Sequence, residues 1–341
     1  MKSTRYMATV LPGLEDIAVD EIQQKFPKDR LLSTSRGKVF FESYLPTDHH
    51  FQLKTVDHLY LFIGQFSVGP HKRHLSQIEE RVATFDLSFA KTKEGFEEGY
   101  FVNASRRGKH TYSRFEAAEA AMRGIASRYP GWTQGTAPHH SLEFRLDLDG
   151  DQAVFSLRLT DSSFRYRGRN RLFSPAALRP TVAHALVWCS SPAATDLFVD
   201  PCCGSGTILS ERLNYPFTEI RGGDLSETAV RTARSNLGEG VYPGVQRWDA
   251  RQLPLDRGYA SKFVSNLPFG RQTGNRSELG ELYDQLIRET SRVLKPGGIA
   301  IFLTEEGSLL RRAADRNSLD CQEWFEISLK GLRPAIYRLQ K

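Results

Sequence analysis

The ten residues from Ser265 to Gly274, SNLPFGRQTG, set an amide, two backbone carbonyls and an aromatic ring side by side. Asn266 can offer its side-chain oxygen, Leu267 and Pro268 their carbonyls, and Phe269 a ring face. That set suits a planar base carrying an exocyclic amino group. An asparagine that opens a turn before proline also occurs with no chemistry attached, so the reading depends on the surroundings.

Those surroundings are three acids, each at the end of a strand-like run. Asp200 closes FVD and is followed by PCCGSGT; Asp224 closes EIRGGD; Asp249 closes VQRWD. In the first, Gly204-Ser205-Gly206 lets a ligand approach the backbone with no Cβ in the way, and leaves amides to donate. Taken alone the turn is weak, because it completes neither GxGxxG nor a P-loop. Asp224, 24 residues after Asp200, stands where an acid accepts both hydroxyls of a ribose. Asp249 can accept from an adenine amino group in the same crevice.

Alternating strands and helices position these residues. After about residue 172 the strand-like runs DLFVD, EIRGGD, VQRWD, KFVSN and GIAIFLT are separated by helix-compatible stretches such as SETAVRTARSNL and SELGELYDQLIRETSRVL. This predicts a parallel sheet with crossover helices, whose carboxyl edge is where ligands bind. A further helix, SPAALRPTVAHALVWCS, is expected to enter through Ser174 and Pro175, with Pro180 interrupting or starting a turn. The first half reads differently. Residues 1–50 form a small α/β unit, with strands at RYMATVL and GKVFFES around the helix LEDIAVDEIQQKF. Residues 51 to about 160 continue with DHLYLFIGQFSV, a helix over LSQIEERVATFDLSFA, the strand GYFVNAS, a helix over SRFEAAEAAMRGIASRY, and a hairpin turning at Asp149-Gly150-Asp151.

The chain has 341 residues, enough for two cores, and its 40% hydrophobic content is that of a globular protein. No run of eighteen apolar residues could span a bilayer, and the N-terminus lacks the apolar segment of a secretory signal, so a cytoplasmic protein away from membranes is expected. The four cysteines show no zinc-ligand spacing and no disulfide framework. They are expected to be reduced, with Cys202 and Cys203 as unreactive small lining residues. His49-His50 and His139-His140 read as exposed loop histidines, and no metal is expected. Net charge is +6 with a pI near 9.1, which is compatible with a nucleic-acid partner. Arg165, Arg167, Arg169 and Arg171 interleave with Phe164 and Tyr166, and Arg106, Arg107 and Lys109 form a second basic cluster. Either can be a solvated face or a surface that contacts phosphates and stacks on bases.

The series DPCCGSGT, GGDLS, WDA and NLPFG resembles the Rossmann-fold S-adenosylmethionine-dependent methyltransferases that modify exocyclic amines. With SSFRYRGRNRLFSPAALRPTVAHAL and RYMATVLPGLEDIAVDEI upstream, the chain resembles the THUMP-domain RNA methyltransferases, closest to those that make N2-methylguanosine at position 6 of tRNA acceptor stems. The resemblance covers nearly the whole chain and is looser over residues 50–150. It implies an α/β multi-domain fold: a ferredoxin-like segment (1–50), a THUMP module (51–165), a basic linker (166–172), and a Rossmann-like class I methyltransferase with a seven-stranded, mostly parallel sheet (173–341). It implies S-adenosylmethionine as cofactor and tRNA as partner, held by the N-terminal half, and a monomer; an activator subunit is neither required nor excluded. Carried over by position, Gly204 and Gly206 would pass under the methionine part of the cofactor, with Asp200, Pro201, Cys202 and Thr207 in the same cofactor site. Asp224 with Leu225 would hold the ribose, and Asp249 with Ala250 the adenine. Asn266, Pro268 and Phe269 would hold the target base, Asn266 would also contact the cofactor, and Arg179 would hold the cofactor carboxylate or the RNA backbone. Leu267 and Phe269 stand where the adenine-directed NPPY pattern has its first proline and its tyrosine, which weakens adenine without excluding it and favours guanine. Another tRNA or ribosomal guanosine is the alternative substrate, and an RNA-binding scaffold with a non-catalytic methyltransferase fold is the alternative class.

Overall fold

The computed structural model describes residues 3–92, 99–167, 172, 177–238, 244–269, 276–329 and 331–341. Short strands with alternating burial dominate the first half: β1 (Thr4–Thr9), β2 (Arg30–Ser35), β3 (Lys38–Ser43), β4 (His58–Ser67), β5 (Tyr100–Arg107), β6 (Leu142–Asp149) and β7 (Gln152–Arg158). They form one sheet in the order β2-β3-β1-β4-β7-β6-β5. Its pairings are antiparallel except the parallel β5–β6 edge. The hairpin at Asp149-Gly150-Asp151 is present as β6–β7, with Gly150 at φ +61°. Because β4 pairs with β1 along one side and β7 along the other, the 1–50 and 51–165 units share a continuous sheet.

Helices α1 (Glu15–Lys25), α2 (Leu75–Ala83) and α3 (Arg114–Arg128) cover this sheet. Ser113 caps α3, its hydroxyl accepting from the Glu116 amide while Glu116 returns to the Ser113 amide. Two expectations change here. The helix expected over 75–90 stops at Ala83, and residues 88–92 make a separate 3-10 turn. Strand β2 was not expected at all: all six of its residues are exposed at the sheet edge, so its sequence carries no buried alternation to read.

In the second half α4 (Pro180–Cys189), β8 (Leu197–Asp200), α5 (Thr207–Arg212), β9 (Glu219–Asp224), α6 (Glu227–Leu237), β10 (Val245–Arg247), β11 (Ala260–Asn266), α7 (Arg276–Val293), β12 (Leu294–Thr304), α8 (Gly307–Arg316), β13 (Asp320–Glu326) and β14 (Ala335–Gln340) follow in turn. The sheet order is β10-β9-β8-β11-β12-β14-β13, with β14 the antiparallel member. Pro180 starts α4, where its missing amide hydrogen costs nothing; the expected entry at Ser174 and Pro175 lies outside the described residues.

Helix α4 is buried almost all round, because the N-terminal half packs directly on it. One apolar core runs from Tyr6, Leu14, Ile17 and Phe41 through Val182 and Leu186 to Phe198 and Ile301. Within it His184 lies between Thr55 Oγ1 at 3.0 Å and the Tyr215 hydroxyl at 2.7 Å. Burial pushes this imidazole down to about 3, so it is neutral at physiological pH. The halves also meet at Gly13, whose φ is +101° and whose missing Cβ would lie 2.1 Å from the Glu326 carbonyl oxygen. Gly13→Ala is therefore expected to cost about 2 kcal/mol or more. Thermal denaturation should show a clear fall in Tm, while Gly131→Ala, where a Cβ meets nothing within 4 Å, changes it little.

Candidate active site

Strand order brings the chemistry together. From β8 the chain builds outward through β9 to β10, then crosses back to place β11 on the other side of β8. This reversal opens a crevice at the carboxyl ends of β8 and β11, the usual ligand position in such sheets. Asp200 ends β8, Asp224 ends β9, Asn266 ends β11, and Asp249 lies two residues past β10. The four groups therefore line one edge.

Asp200 is 1% exposed. Its Oδ1 accepts from Ser265 Oγ at 2.7 Å and from the Cys202 amide at 3.2 Å, while its Oδ2 is enclosed without a hydrogen-bond partner. Burial lifts this carboxyl to about 7. Across the switch point Asn266 Oδ1 is also enclosed and unpartnered. Two acceptors left without donors at adjacent strand ends are costly unless a ligand supplies them. Gly204, at φ +51°, has open space where a Cβ would stand, whereas a Cβ at Gly206, at φ +78°, would press on Ala233 at 3.1 Å. Gly204 thus leaves room for a ligand, and Gly206 lets α5 start close against α6. Thr207, the first residue of α5, is buried behind them.

Asp224 ties the glycine turn to the second strand end. Its carboxylate accepts from the Gly204 amide at 3.0 Å and the Ser226 amide at 2.9 Å. Beside it Leu225 is 60% exposed. Asp249 is held by Arg251 at 2.7 Å, which keeps its carboxyl below the usual range, and Ala250 packs partly against the core beneath. Pro201 is fixed through its carbonyl, which accepts from Trp248 Nε1 at 2.9 Å. Burial and the neighbouring carboxylates push the thiols of Cys202 and Cys203 far up, so both stay protonated. On the other side of the crevice Leu267 is buried, its amide donating to the Leu303 carbonyl at 3.0 Å. Phe269 is half-buried against the interdomain core.

The remaining expected residues lie elsewhere. Arg179 donates to Asp57 of the N-terminal half at 2.7 Å, a carboxylate also held by Thr181, so its charge is spent joining the two halves. Arg167, at φ +62°, has a 13% exposed side chain that faces Glu211 at 3.4 Å and donates to the Lys54 and Phe164 carbonyls; it too is an interior link. Arg165 stacks on Tyr166 at 4.7 Å, and Arg169 and Arg171 lie outside the described residues. Arg106, Arg107 and Lys109 are exposed at the end of β5. They lie beside loop 70–74, which is pinned to theirs by Thr111 N to Pro70 O at 2.8 Å and Lys72 N to Thr111 Oγ1 at 2.9 Å. His50 corrects the loop reading: it is fully buried among Tyr6, Phe26 and Phe41, with its ring 2.7 Å from Asp29. Among the described residues no group of three His, Cys, Asp or Glu side chains could hold a metal, and no helix is long and apolar enough to cross a membrane. Trp248, Ser265 and Tyr283, which brace the crevice, were missed because each reads as an ordinary core position.

Sheet order, glycine turn and asparagine-ended strand together define a Rossmann-like methyltransferase domain. Residues 167–335 match the family described as "RMKL-like, methyltransferase domain". The chain is 29% identical over 262 residues to the tRNA (guanine(6)-N(2))-methyltransferase THUMP3 of Bos taurus, covering 70% of this chain and 51% of that protein. It thus spans about half the length of the mammalian relatives it matches. It is 27% identical over 343 residues to the tRNA (guanine(6)-N2)-methyltransferase of Thermus thermophilus, covering 98% of each. The crystal structure of TrmN from Thermus thermophilus shares the fold over 100% of both chains, with a TM-score of 0.81 at 24% identity.

Proposed function

We propose that the protein is an S-adenosylmethionine-dependent tRNA methyltransferase that methylates the exocyclic N2 of a guanosine in the acceptor stem, at position 6. The observation that carries this reading is the pair of unpartnered acceptors, Asp200 Oδ2 and Asn266 Oδ1, on either side of the switch point. The names of the relatives support the substrate. The crevice fits the cofactor: Gly204 leaves space, Asp200 offers an anion to an ammonium group, and Leu225 offers an apolar face. Asp224 takes the ribose hydroxyls and Asp249 with Ala250 the adenine, while Pro201, Cys202, Gly206 and Thr207 shape the floor.

When bound, the cofactor supplies an electrophilic methyl on a positively charged leaving group. Asn266 accepts a hydrogen bond from the guanine amino group and turns its nitrogen lone pair toward that methyl, while Phe269 stacks on the base. Positioning supplies most of the acceleration, and the amine proton, acidified by alkylation, leaves to water beside Asn266 without a dedicated base. A stem guanine must first be flipped out, at about a few kcal/mol. Phosphate contacts from Arg106, Arg107 and Lys109, extended by Lys72 and Arg73 of the pinned loop, offset that cost once the exposed pairs Arg107–Asp149 and Lys72–Glu116 exchange their partners for phosphate. Arg165 with Tyr166 offers a second, stacking surface. In this reading residues 1–50 and 51–165 hold the tRNA as ferredoxin-like and THUMP units, 166–172 link them to the methyltransferase at 173–341, and the protein works as a cytoplasmic monomer.

Unmodified tRNA incubated with labelled S-adenosylmethionine is expected to yield N2-methylguanosine, mapped to position 6 by nucleoside analysis and sequencing. Methylated adenosine, or a guanosine elsewhere, would overturn the substrate assignment and leave the fold intact. Absence of cofactor binding in calorimetry would favour a non-catalytic scaffold.

A further inference from the structure

The turn that follows Asn266 is gripped from behind. Tyr283, on α7 and 1% exposed, donates its hydroxyl to the Pro268 carbonyl at 3.0 Å. Thr304 Oγ1, at the end of β12, lies 2.6 Å from the same hydroxyl and accepts from the Glu306 amide at 2.9 Å. A carbonyl can only accept, so the single Tyr283 hydrogen goes to Pro268, and Thr304 must give its own hydrogen to Tyr283. The result is a one-way chain from the Glu306 amide through Thr304 and Tyr283 to Pro268. Each bond in such a chain polarises the next.

We infer that Tyr283 is a positioning residue for methyl transfer, holding the 267–269 turn so that Asn266 Oδ1 and the Phe269 ring meet the base in one fixed arrangement. Among the described residues the turn has two hydrogen-bonded anchors outside itself: Leu267 N on the Leu303 carbonyl at 3.0 Å, and Pro268 O on Tyr283. Removing the second releases the Pro268–Phe269 peptide, whose carbonyl it holds, and a displacement of about 1 Å at a reacting centre can cost on the order of 10²-fold in rate. One lone pair of the Pro268 carbonyl is also committed, which leaves the unpartnered Asn266 oxygen as the stronger acceptor for an incoming amino group. Burial keeps the phenol protonated, so the donor persists across the working pH range.

The inference rests on the proposed guanine methylation, and its test separates the two. Tyr283→Phe keeps the buried ring and removes only the hydroxyl. Single-turnover methyl transfer to tRNA is expected to fall about tenfold or more, with the affinities for S-adenosylmethionine and tRNA within about twofold of wild type. Thr304→Val is expected to lower the same rate less, Thr304→Ser to restore it, and Tyr283→Phe with Thr304→Val to be no slower than Tyr283→Phe alone, as for members of one chain. An active wild type with a fully active Tyr283→Phe, or a loss traced entirely to weaker cofactor or tRNA binding, overturns the inference alone. A wild type that makes no methylguanosine overturns the functional reading and this one with it.

Discussion

Replacing Asn266 by alanine is expected to reduce methyl transfer by about 10²- to 10³-fold, the range seen when one preorganised polar contact to a reacting centre is removed. Asn266 Oδ1 is enclosed and has no protein donor, so it makes its hydrogen bond only with the ligand, and its contribution should be strongest as charge develops on the amine. Cofactor affinity should fall much less, because Asp200, Asp224 and the glycine turn remain. Asn266→Asp keeps an acceptor oxygen in the same place and is expected to retain more activity than the alanine variant. Rates measured with saturating tRNA and cofactor, alongside calorimetric affinities, decide the matter. Undiminished N2-methylguanosine formation by Asn266→Ala would remove Asn266 from the chemistry.

Cofactor affinity is expected to rise with pH through about 7, steered by Asp200. In the ligand-free protein burial holds this carboxyl near 7, against an ordinary carboxyl near 4. Below pH 7 it is protonated and offers no anion to the ammonium group of the cofactor. Affinity should therefore weaken by up to about tenfold for each pH unit below that point. The same shift predicts an opposite effect on stability. The folded state binds this proton more tightly than the unfolded chain, so stability from the neutral carboxyl is fully present below about 4 and is lost as pH rises to about 7. The loss is on the order of a few kcal/mol. Asp200→Asn, which cannot ionise, should raise the Tm of the ligand-free protein at pH 8, abolish the rise in Tm on adding S-adenosylmethionine, and flatten the binding profile. Calorimetry and thermal denaturation between pH 6 and 8.5 test this; an unchanged profile in the variant would assign the titration elsewhere.

Much of the site was legible because it consists of local demands. A turn that needs Gly204 and Gly206 at positive φ, acids that close strand-like runs, and an amide shortly before proline are visible at short range in any chain. Most of the helices and strands that carry them were legible from spacing and residue type along the chain, and the structure adds that Ser113 and Ser226 cap α3 and α6. Strand β2 was not, since an exposed edge strand has no buried face to imprint a pattern. The basic residues were legible as charges and not as partners. Arg179 and Arg167 carry the same charge as Arg106 and Arg107, yet Asp57 and Glu211 hold the first two in the interior, while Arg106 and Arg107 meet the His110 carbonyl and Asp149 at the exposed surface.

The sequence by itself determined the two-half organisation, the α/β class, the glycine turn, the three acids and the NLPF segment, because spacing and residue type suffice for features closed by a few bonds along the chain. Tertiary structure alone decided that β11 crosses back to lie beside β8, so that Asn266 comes next to Asp200 from 66 residues further along. It also decided that His50 and His184 are buried, that Arg179 joins the halves, and that Tyr283 grips Pro268. The physical reason is that a side chain's burial and hydrogen-bond partner depend on which distant segment packs against it. In this protein those distant partners turn a list of polar residues into a crevice with two unanswered acceptors.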